Sequence, residues 1–586
     1  MTTLIVIVLY LALLLGLGMY TNRLSRGTSK DYFVASHSIG PFLLLMSVFG
    51  TTMTAFALVG STGKSFERGI GTYGLMASIS GLVHAAIFFI VGIRLWCYGK
   101  KHGFVTQIQF FRSRFESDNI GYVLFPILVL LVIPYLLIGI IGAGKTIEPV
   151  TAGAFPEIFT NPTRAAWLGG IPPWLSGLVI SAVVLTYVFM GGSRGAAFAN
   201  TFQTLVFMVM GLVAFVFIVK GLGGLENAGK VPARITDTGA IVQEYGYDKD
   251  QKKLVKLDTP KPYGKVKGWD KLDEKEKQSL IGKQPHFART PIEMEYKTKN
   301  PAAANDKEAP KFLTKERELG IPPITFLTYL FIPLSVGMFP HLFQHWLTAK
   351  SAKAFRLTVI AHPLCIMIVW VPCVLIGAWA SGVLPAGMPS AAVLSNMLAT
   401  LIDNQVLTGL LTAGVLAAIM SSLDSQFLCL GTMFTNDIIL HKADKDKYTD
   451  QQIVKIARIF IVVIVALTYT LAMALKSANV FDLAVWCFSG FGALFPVVFA
   501  ALYWKRATKE GAIASILAAT ATWIYFFLQT KKVLPNGSTV YGGEMVIGPG
   551  IVPAAICFAA AAVVMIVVSL ATKPPSKETL DKFFQS

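Results

Sequence analysis

The chain has 586 residues, of which 54% are hydrophobic and only 14% charged, where a soluble globular chain is about a quarter charged. A mean hydropathy of +0.60 excludes an ordinary soluble enzyme, and the length exceeds the ~300 residues at which a single water-soluble core stops growing. The net charge of +18 does not point to nucleic acid, because much of it sits in short loops between apolar runs, where it reports membrane topology.

A spanning helix needs ~20 mostly apolar residues. About thirteen runs qualify, near 3–21, 40–63, 73–96, 120–148, 174–191, 198–220, 322–341, 357–382, 405–438, 455–475, 480–503, 510–528 and 549–571. No basic residue precedes the first run, and Arg23, Arg26 and Lys30 follow it. A secretory signal has the opposite order, so this run is expected to stay as a helix with its N-terminus outside. With that start, the inner loops carry Lys100, Lys101, Arg112, Arg114, Lys350, Lys353, Arg356 and a basic cluster across 442–458. The short outer segments carry few basic residues, among them Lys64, Arg68 and Lys145. The asymmetry favours an odd number of spans and a cytoplasmic C-terminus, in a cell (inner) membrane.

The expected organisation is an extra helix and inner loop (1–38), a first five-helix repeat (39–221), and a polar extracytoplasmic insertion (222–320). A second repeat (321–505) and two further helices with a short tail (506–586) follow. The insertion is rich in charge of both signs. A stretch such as 270–277 reads as a solvated helix face or as disorder, and the whole segment is expected to be a partly ordered, removable cap, with a disordered segment or a partner-binding domain as alternatives. Runs two to six and seven to eleven each hold five spans, and an odd count inverts the second unit relative to the first. The fold class is therefore an all-α polytopic membrane protein with about 13 transmembrane helices, an inverted five-helix repeat and two discontinuous helices.

Several motifs lead nowhere. Gly139 to Thr146 matches the phosphate-loop pattern, but it ends an apolar run and lacks the strand-to-helix context that makes such a loop work. Asn536-Gly-Ser538 fits a glycosylation acceptor. The six cysteines show no CxxC and no ligand spacing with histidine, which argues against disulfide, zinc or iron–sulfur chemistry. No triad, metal cluster or exposed acid pair supports an enzyme.

The informative places are apolar runs interrupted by small and hydroxyl residues. Phe49-Gly-Thr-Thr-Met-Thr-Ala55 lies mid-membrane, where glycine and hydroxyls favour local unwinding. Unwound backbone is tolerated there only where protein or a cavity receives its polar groups. Run seven, the equivalent position of the second repeat, is interrupted at Pro333 and across 337–341. In run nine, Ser421, Ser422 and Ser425 share a face, and Asp424 is an intramembrane carboxylate, hence a functional candidate. Carbonyls freed from a broken helix, with hydroxyls from a facing one, suit a hard cation such as Na⁺. Paired discontinuous helices mark the central site of a secondary transporter.

Three stretches carry a resemblance. Asp31-Tyr-Phe-Val-Ala-Ser36, Tyr187-Val-Phe-Met-Gly-Gly-Ser-Arg-Gly195 with Gln203, and Ala413 to Gln426 with Asn436-Asp437 resemble the sodium:solute symporter family over nearly the whole chain except 222–320. The resemblance implies a leucine-transporter-type fold and Na⁺-coupled import of a small organic solute. It places the sodium ligands on the carbonyls of Gly50, Met53 and Ala418 and the hydroxyls of Ser421 and Ser422. It places the solute near Thr52, Thr54, Phe56, Ser335, Gly337 and Phe339. Asn200 and Asp424 are coupling candidates. Residues 98–106 and 333–340 look most like the monocarboxylate and pantothenate branch. Asn200 stands where many members have Asp, Thr52 where the proline carriers have Asp, and His37 where Arg is frequent, which puts an additional sodium site in doubt. His341 and His345 are expected at the inner interface near a helix end. Alternatives are an amino-acid or sugar symporter of the same fold, proton coupling through Asp424, and a transporter-like sensor. The implied partners are the lipid bilayer and a small-molecule substrate.

Overall fold

The structure is a computed structural model that describes residues 1–23, 27–160, 168–248, 253–300, 303, 310–442, 447–474, 479–533 and 539–584, apart from the side chains of 76–78. The Asn536 acceptor lies outside them. Ten described helices are long and apolar enough to span a membrane, and two further helix pairs qualify when each is taken as one bent span.

In chain order the spans are α1 (Thr2–Asn22), α2 (the bent pair Pro41–Thr52 and Phe56–Arg68), α3 (Gly81–His102) and α4 (Asp118–Val150). The next helix, Pro173–Gly221, has 49 residues. At ~1.5 Å per residue it would extend roughly 70 Å, more than twice a ~30 Å hydrocarbon core. It breaks at Gly192, whose φ of 52° and ψ of −147° lie where only glycine is at ease, so it forms two spans, α5 before Gly192 and α6 after it. There follow α7 (the bent pair Pro323–Gly337 and Pro340–Thr348), α8 (Ala352–Ala380), α9 (Gln405–Ile439), α10 (Asp450–Ala474), α11 (Val480–Tyr503), α12 (Lys509–Gln529) and α13 (Pro553–Ala571). The thirteen expected runs are thus all helical. A shorter apolar helix, Ser390–Leu401, was not anticipated between α8 and α9.

Burial follows composition. The outer helices α1 and α10 leave large apolar side chains such as Leu9, Leu13, Ile459 and Val463 exposed, as lipid contact requires. Small and hydroxyl-rich α9 is buried along most of its length and packs against α1, α4, α5–α6 and α10. Small residues allow that close approach in a membrane, where apolar burial alone gives no drive. The apparent phosphate loop is simply part of continuous α4, in which Gly142 leaves no room for a Cβ against Ala55.

The polar insertion is folded. Strands β1 (Arg234–Ile235), β2 (Ala240–Asp248), β3 (Lys253–Val266), β4 (Ile292–Lys299) and β5 (Phe312–Leu319) form one antiparallel meander in sequence order. A short helix, Glu274–Leu280, forms within the 270–280 charge run, closed by a capping box between Asp273 and Glu276. The sheet sits directly on α2. His286 Nε2 lies 2.9 Å from the Phe66 carbonyl, and the Gly320 amide donates to the Arg68 carbonyl at 2.8 Å. Arg68 pairs with Glu318 at 2.8 Å. The expected partly ordered cap is thus a folded sheet tied to α2 at Phe66 and Arg68.

Candidate functional site

The two bent spans place the site. In α2 the last regular bond of the first half runs from the Met53 amide to the Phe49 carbonyl at 2.9 Å, and Met53 then leaves the helix with ψ of 85°. The second half restarts with the Thr54 hydroxyl accepting the Phe56 amide at 3.0 Å, the local competition that short hydroxyl side chains offer a helix. The halves meet at 55°, and those of α7 meet at 52°. The α7 break precedes Pro340, which opens the second half because it has no amide to leave unpaired.

The α2 break frees the Gly50 carbonyl from its helical partner. Ser421 of α9 donates to that carbonyl at 2.8 Å, and its hydroxyl also lies 3.0 Å from the Ala418 carbonyl. Three of the five oxygens expected to hold sodium therefore converge between α2 and α9. A hydroxyl proton satisfies one carbonyl at a time, whereas a hard cation can draw all three oxygens together. Ser422, one residue on, lies 3.0 Å from the Ile419 carbonyl of its own helix. Met53 sits at the break itself and lines the adjoining cavity. Gly50 is required by close approach, because a Cβ there would lie 2.3 Å from the Thr204 hydroxyl of α6.

Beside this cluster runs a buried polar chain. Asn200 donates to Thr51 at 3.0 Å and to Ser425 at 2.9 Å. Ser425 donates to Asp424 at 2.9 Å, and the Tyr187 hydroxyl reaches the other Asp424 oxygen at 3.1 Å. Asn200 and Asp424, from different repeats, are thus joined through one serine. His345 is part of the same chain, 2.8 Å from both Ser425 and Ser47, and stands buried in the last turn of the second half of α7, near the helix end as expected. His341 is buried and stacks on Phe339, with ring centroids 5.0 Å apart.

A cavity opens next to the α2 break. Of the residues expected near the solute, Thr52, Phe56, Ser335 and Phe339 line it, together with Met53. Thr54 caps the second half of α2, and Gly337 packs against the ring of Phe495, so neither lines the cavity. Sequence reasoning missed His84, Tyr135, Trp370 and Phe488, which complete much of the wall. Each is a lone polar or aromatic residue on an apolar helix and carries no local signal of its own. His362 was also missed; its Nε2 is 3.1 Å from the Thr52 hydroxyl.

The family model described as the sodium:solute symporter family matches residues 32–156 and 294–519. A sodium/proline symporter of Haemophilus influenzae is 24% identical over 573 residues, covering 96% of this chain and 92% of that protein. Sodium/proline symporter 2 of Staphylococcus saprophyticus is 22% identical over 592 residues, covering 100% of this chain and 96% of that one. Among solved structures, a Na⁺-coupled sialic acid symporter in a substrate-bound outward-open state superposes with a TM-score of 0.65 at 16% identity, covering 98% of both chains. A nucleobase-cation-symport-1 family transporter in a closed conformation gives a TM-score of 0.50 at 11% identity, covering 94% of this chain and 97% of that one.

Proposed function

The chain belongs to the sodium:solute symporter family, a family of transporters and not enzymes, and on that premise we propose that it imports a small carboxylate-bearing solute with Na⁺ by alternating access. Na⁺ is cargo here. It binds at the Gly50, Met53 and Ala418 carbonyls and the Ser421 and Ser422 hydroxyls, while the solute occupies the cavity lined by Thr52, Phe56, Ser335 and Phe339. The observation that carries this reading is the Ser421 hydroxyl bridging the freed Gly50 carbonyl and Ala418. The ion and the solute share the 50–56 segment, so filling one site orders backbone the other uses, and their binding energies are linked.

The named relatives carry proline, itself a carboxylate. Thr52 stands where the proline carriers have an acid, so the reading extends to carboxylates in general and is not confined to proline. We place the N-terminus outside, the C-terminus in the cytoplasm and the insertion outside, in keeping with the basic residues of the inner loops.

The test is solute uptake by proteoliposomes. With Ser421 and Ser422 both changed to Ala, two of roughly five oxygens are lost while a good helix former is kept. The sodium concentration for half-maximal uptake should rise at least tenfold, and high sodium should partly restore solute affinity. Unaltered sodium dependence would show these serines to be packing residues. A second reading, proton coupling through Asp424, rests on that carboxylate being buried with neutral partners, Ser425 and Tyr187. Uptake driven by a Na⁺ gradient at clamped pH on both sides separates the two.

A further inference from the structure

The cavity beside the α2 break has an unusual wall. None of its lining residues is Asp, Glu, Lys or Arg, and much of the surface is aromatic, from Phe56, Phe339, Trp370 and Phe488. Three polar groups on it have no protein partner among the described residues: the Tyr135 hydroxyl, His84 Nδ1 and the Trp370 indole Nε1. The Tyr135 hydroxyl is on α4 and His84 Nδ1 is on α3, and both side chains are more than nine-tenths buried. Buried polar atoms in native proteins are nearly always hydrogen-bonded, so three orphans on one wall point to a polar group of a ligand, for which this cavity of about 20 Å³ must widen. A phenol, an imidazole and an indole each present a hydrogen to an acceptor.

We propose that His84 and the Tyr135 hydroxyl are the anchor for a carboxylate of the transported solute, with His362 positioning Thr52 beside it. A carboxylate is acceptor-only, and its two oxygens carry about four lone-pair sites, enough for all three orphaned donors. The wall has no acid to receive an ammonium, and it has too few polar groups to match the hydroxyls of a sugar. An apolar body carrying one carboxylate suits it. The negative charge need not be buried alone. The Gly50–Met53 segment that supplies candidate sodium ligands also supplies Thr52 and Met53 to the cavity, so the anion sits beside the co-transported cation and each offsets the other's loss of hydration.

His362 acts one layer back. Its ring meets that of His84 at a centroid distance of 5.4 Å and is wedged against Phe49 and Phe88. The Thr52 hydroxyl already lies 3.1 and 2.9 Å from the Val48 and Phe49 carbonyls. With the threonine proton directed there, His362 Nε2 is the donor in their 3.1 Å contact. That bond fixes the Thr52 rotamer at the lip of the ion site.

This inference rests on the cavity being the solute site of a sodium symporter, and the experiment separates the two. Binding to the purified full chain in nanodiscs is measured, with and without Na⁺, for L-proline and pyruvate as carboxylates and for pyruvamide and glucose as uncharged probes. A Na⁺-dependent response is expected for at least one carboxylate and not for pyruvamide or glucose. Tyr135→Phe and His84→Leu should each weaken carboxylate binding about tenfold or more, the range for a hydrogen bond to a charged group. His84→Gln, which keeps an N–H donor, should recover part of the loss. His362→Leu should weaken sodium and carboxylate together, since it acts through Thr52. In Tyr135→Phe, which is nearly isosteric and should fold, sodium binding without solute should stay within about twofold of the unaltered protein. Unchanged carboxylate affinity in both Tyr135→Phe and His84→Leu overturns the anchor. So does pyruvamide binding as tightly as pyruvate, or the absence of any carboxylate response in a protein that still binds Na⁺. Failure of the unaltered protein to bind Na⁺ at all would instead remove the symport reading beneath it.

Discussion

Gly50 shows how much one missing methyl group decides. Its carbonyl faces Ser421, and its bare α-carbon faces α6, where a Cβ would meet the Thr204 hydroxyl at 2.3 Å and the Asn200 carbonyl at 3.3 Å. Gly50→Ala must push α6 away or turn the carbonyl aside, an overpacking cost of about 1–3 kcal/mol. The expected result is a lower melting temperature and a sodium requirement raised several-fold. Unchanged sodium dependence would show that the break tolerates displacement. His286 in the insertion is a second such residue. Burial pushes its pKa down to about 3, assisted by Arg317 and opposed by its bond to the Phe66 carbonyl. The unfolded imidazole titrates near ~6.5. Its stabilising contribution is therefore complete above ~6.5 and is lost as pH falls from there toward 3, with a slope approaching about 1.4 kcal/mol per pH unit. Amide protection factors in β4 and β5, taken relative to the intrinsic exchange rate at each pH, should fall between pH 7.5 and pH 5, and His286→Gln should flatten that dependence. Residues of this kind differ in legibility. Ser421 and Gly50 are visible in sequence because they stand in clusters of polar residues inside apolar runs. His84, Tyr135 and His362 are not, because each is single and only the fold brings them together.

At the scale of elements, the breaks matter more than the helices. The thirteen apolar runs were legible because a bilayer demands ~20 apolar residues per crossing, and the two discontinuous spans because glycine, proline and hydroxyls interrupt them. The restart of α2 depends on the Thr54 hydroxyl accepting the Phe56 amide at 3.0 Å. Thr54→Val keeps the shape and removes the cap, at a cost of about 1 kcal/mol. It should lower the melting temperature and raise the sodium requirement, and Thr54→Ser should restore both. Equal behaviour of the valine and serine variants would mean that the break is held by tertiary packing alone. The sheet of the insertion was not legible as strands for a physical reason. Ile292-Glu-Met-Glu-Tyr-Lys-Thr-Lys299 alternates with the period of a strand, and Ile292 and Met294 are buried on one face. The high charge of the segment masked that alternation. Gln243 gave no hint either, since its buried amide serves to hold the Ser381 and Leu384 carbonyls at 2.8 and 2.7 Å.

Across the whole molecule, the insertion and the proposed ion site meet at the second half of α2. One end of that half-helix begins at the break beside Gly50. The other end, at Phe66 and Arg68, is held by His286, Gly320 and Glu318 of the insertion, while Lys64 reaches Asp482 of α11 at 3.0 Å and Glu544 of the α12–α13 loop at 2.8 Å. Burial alone would raise the pKa of Glu544, but Lys64 and Arg68 hold it down at about 2, so this tie stays charged throughout the physiological range. Arg317 of β5 also donates to the Ala386 carbonyl beyond α8 at 2.8 Å. The insertion therefore bridges the half-helix of the first repeat to the second repeat. If the chain works by the alternating access proposed for it, these two units rock against each other around the central site, and such a bridge would bias the balance between states. Replacing 234–319 with a flexible linker leaves the Phe66 and Arg68 carbonyls without these donors and frees the half-helix. The expected outcome is a melting temperature several degrees lower and a changed rate of solute exchange, while the Gly50 and Ser421 groups remain in place. Arg317→Ala with Gln243→Ala is the milder version: it removes the bonds to Ser381, Leu384 and Ala386 together with the Arg317 bond to the Phe66 carbonyl, while His286, Gly320 and Glu318 still hold the sheet on α2. If both variants exchange solute at the original rate, the insertion is a passive cap and the two repeats set their own balance without it.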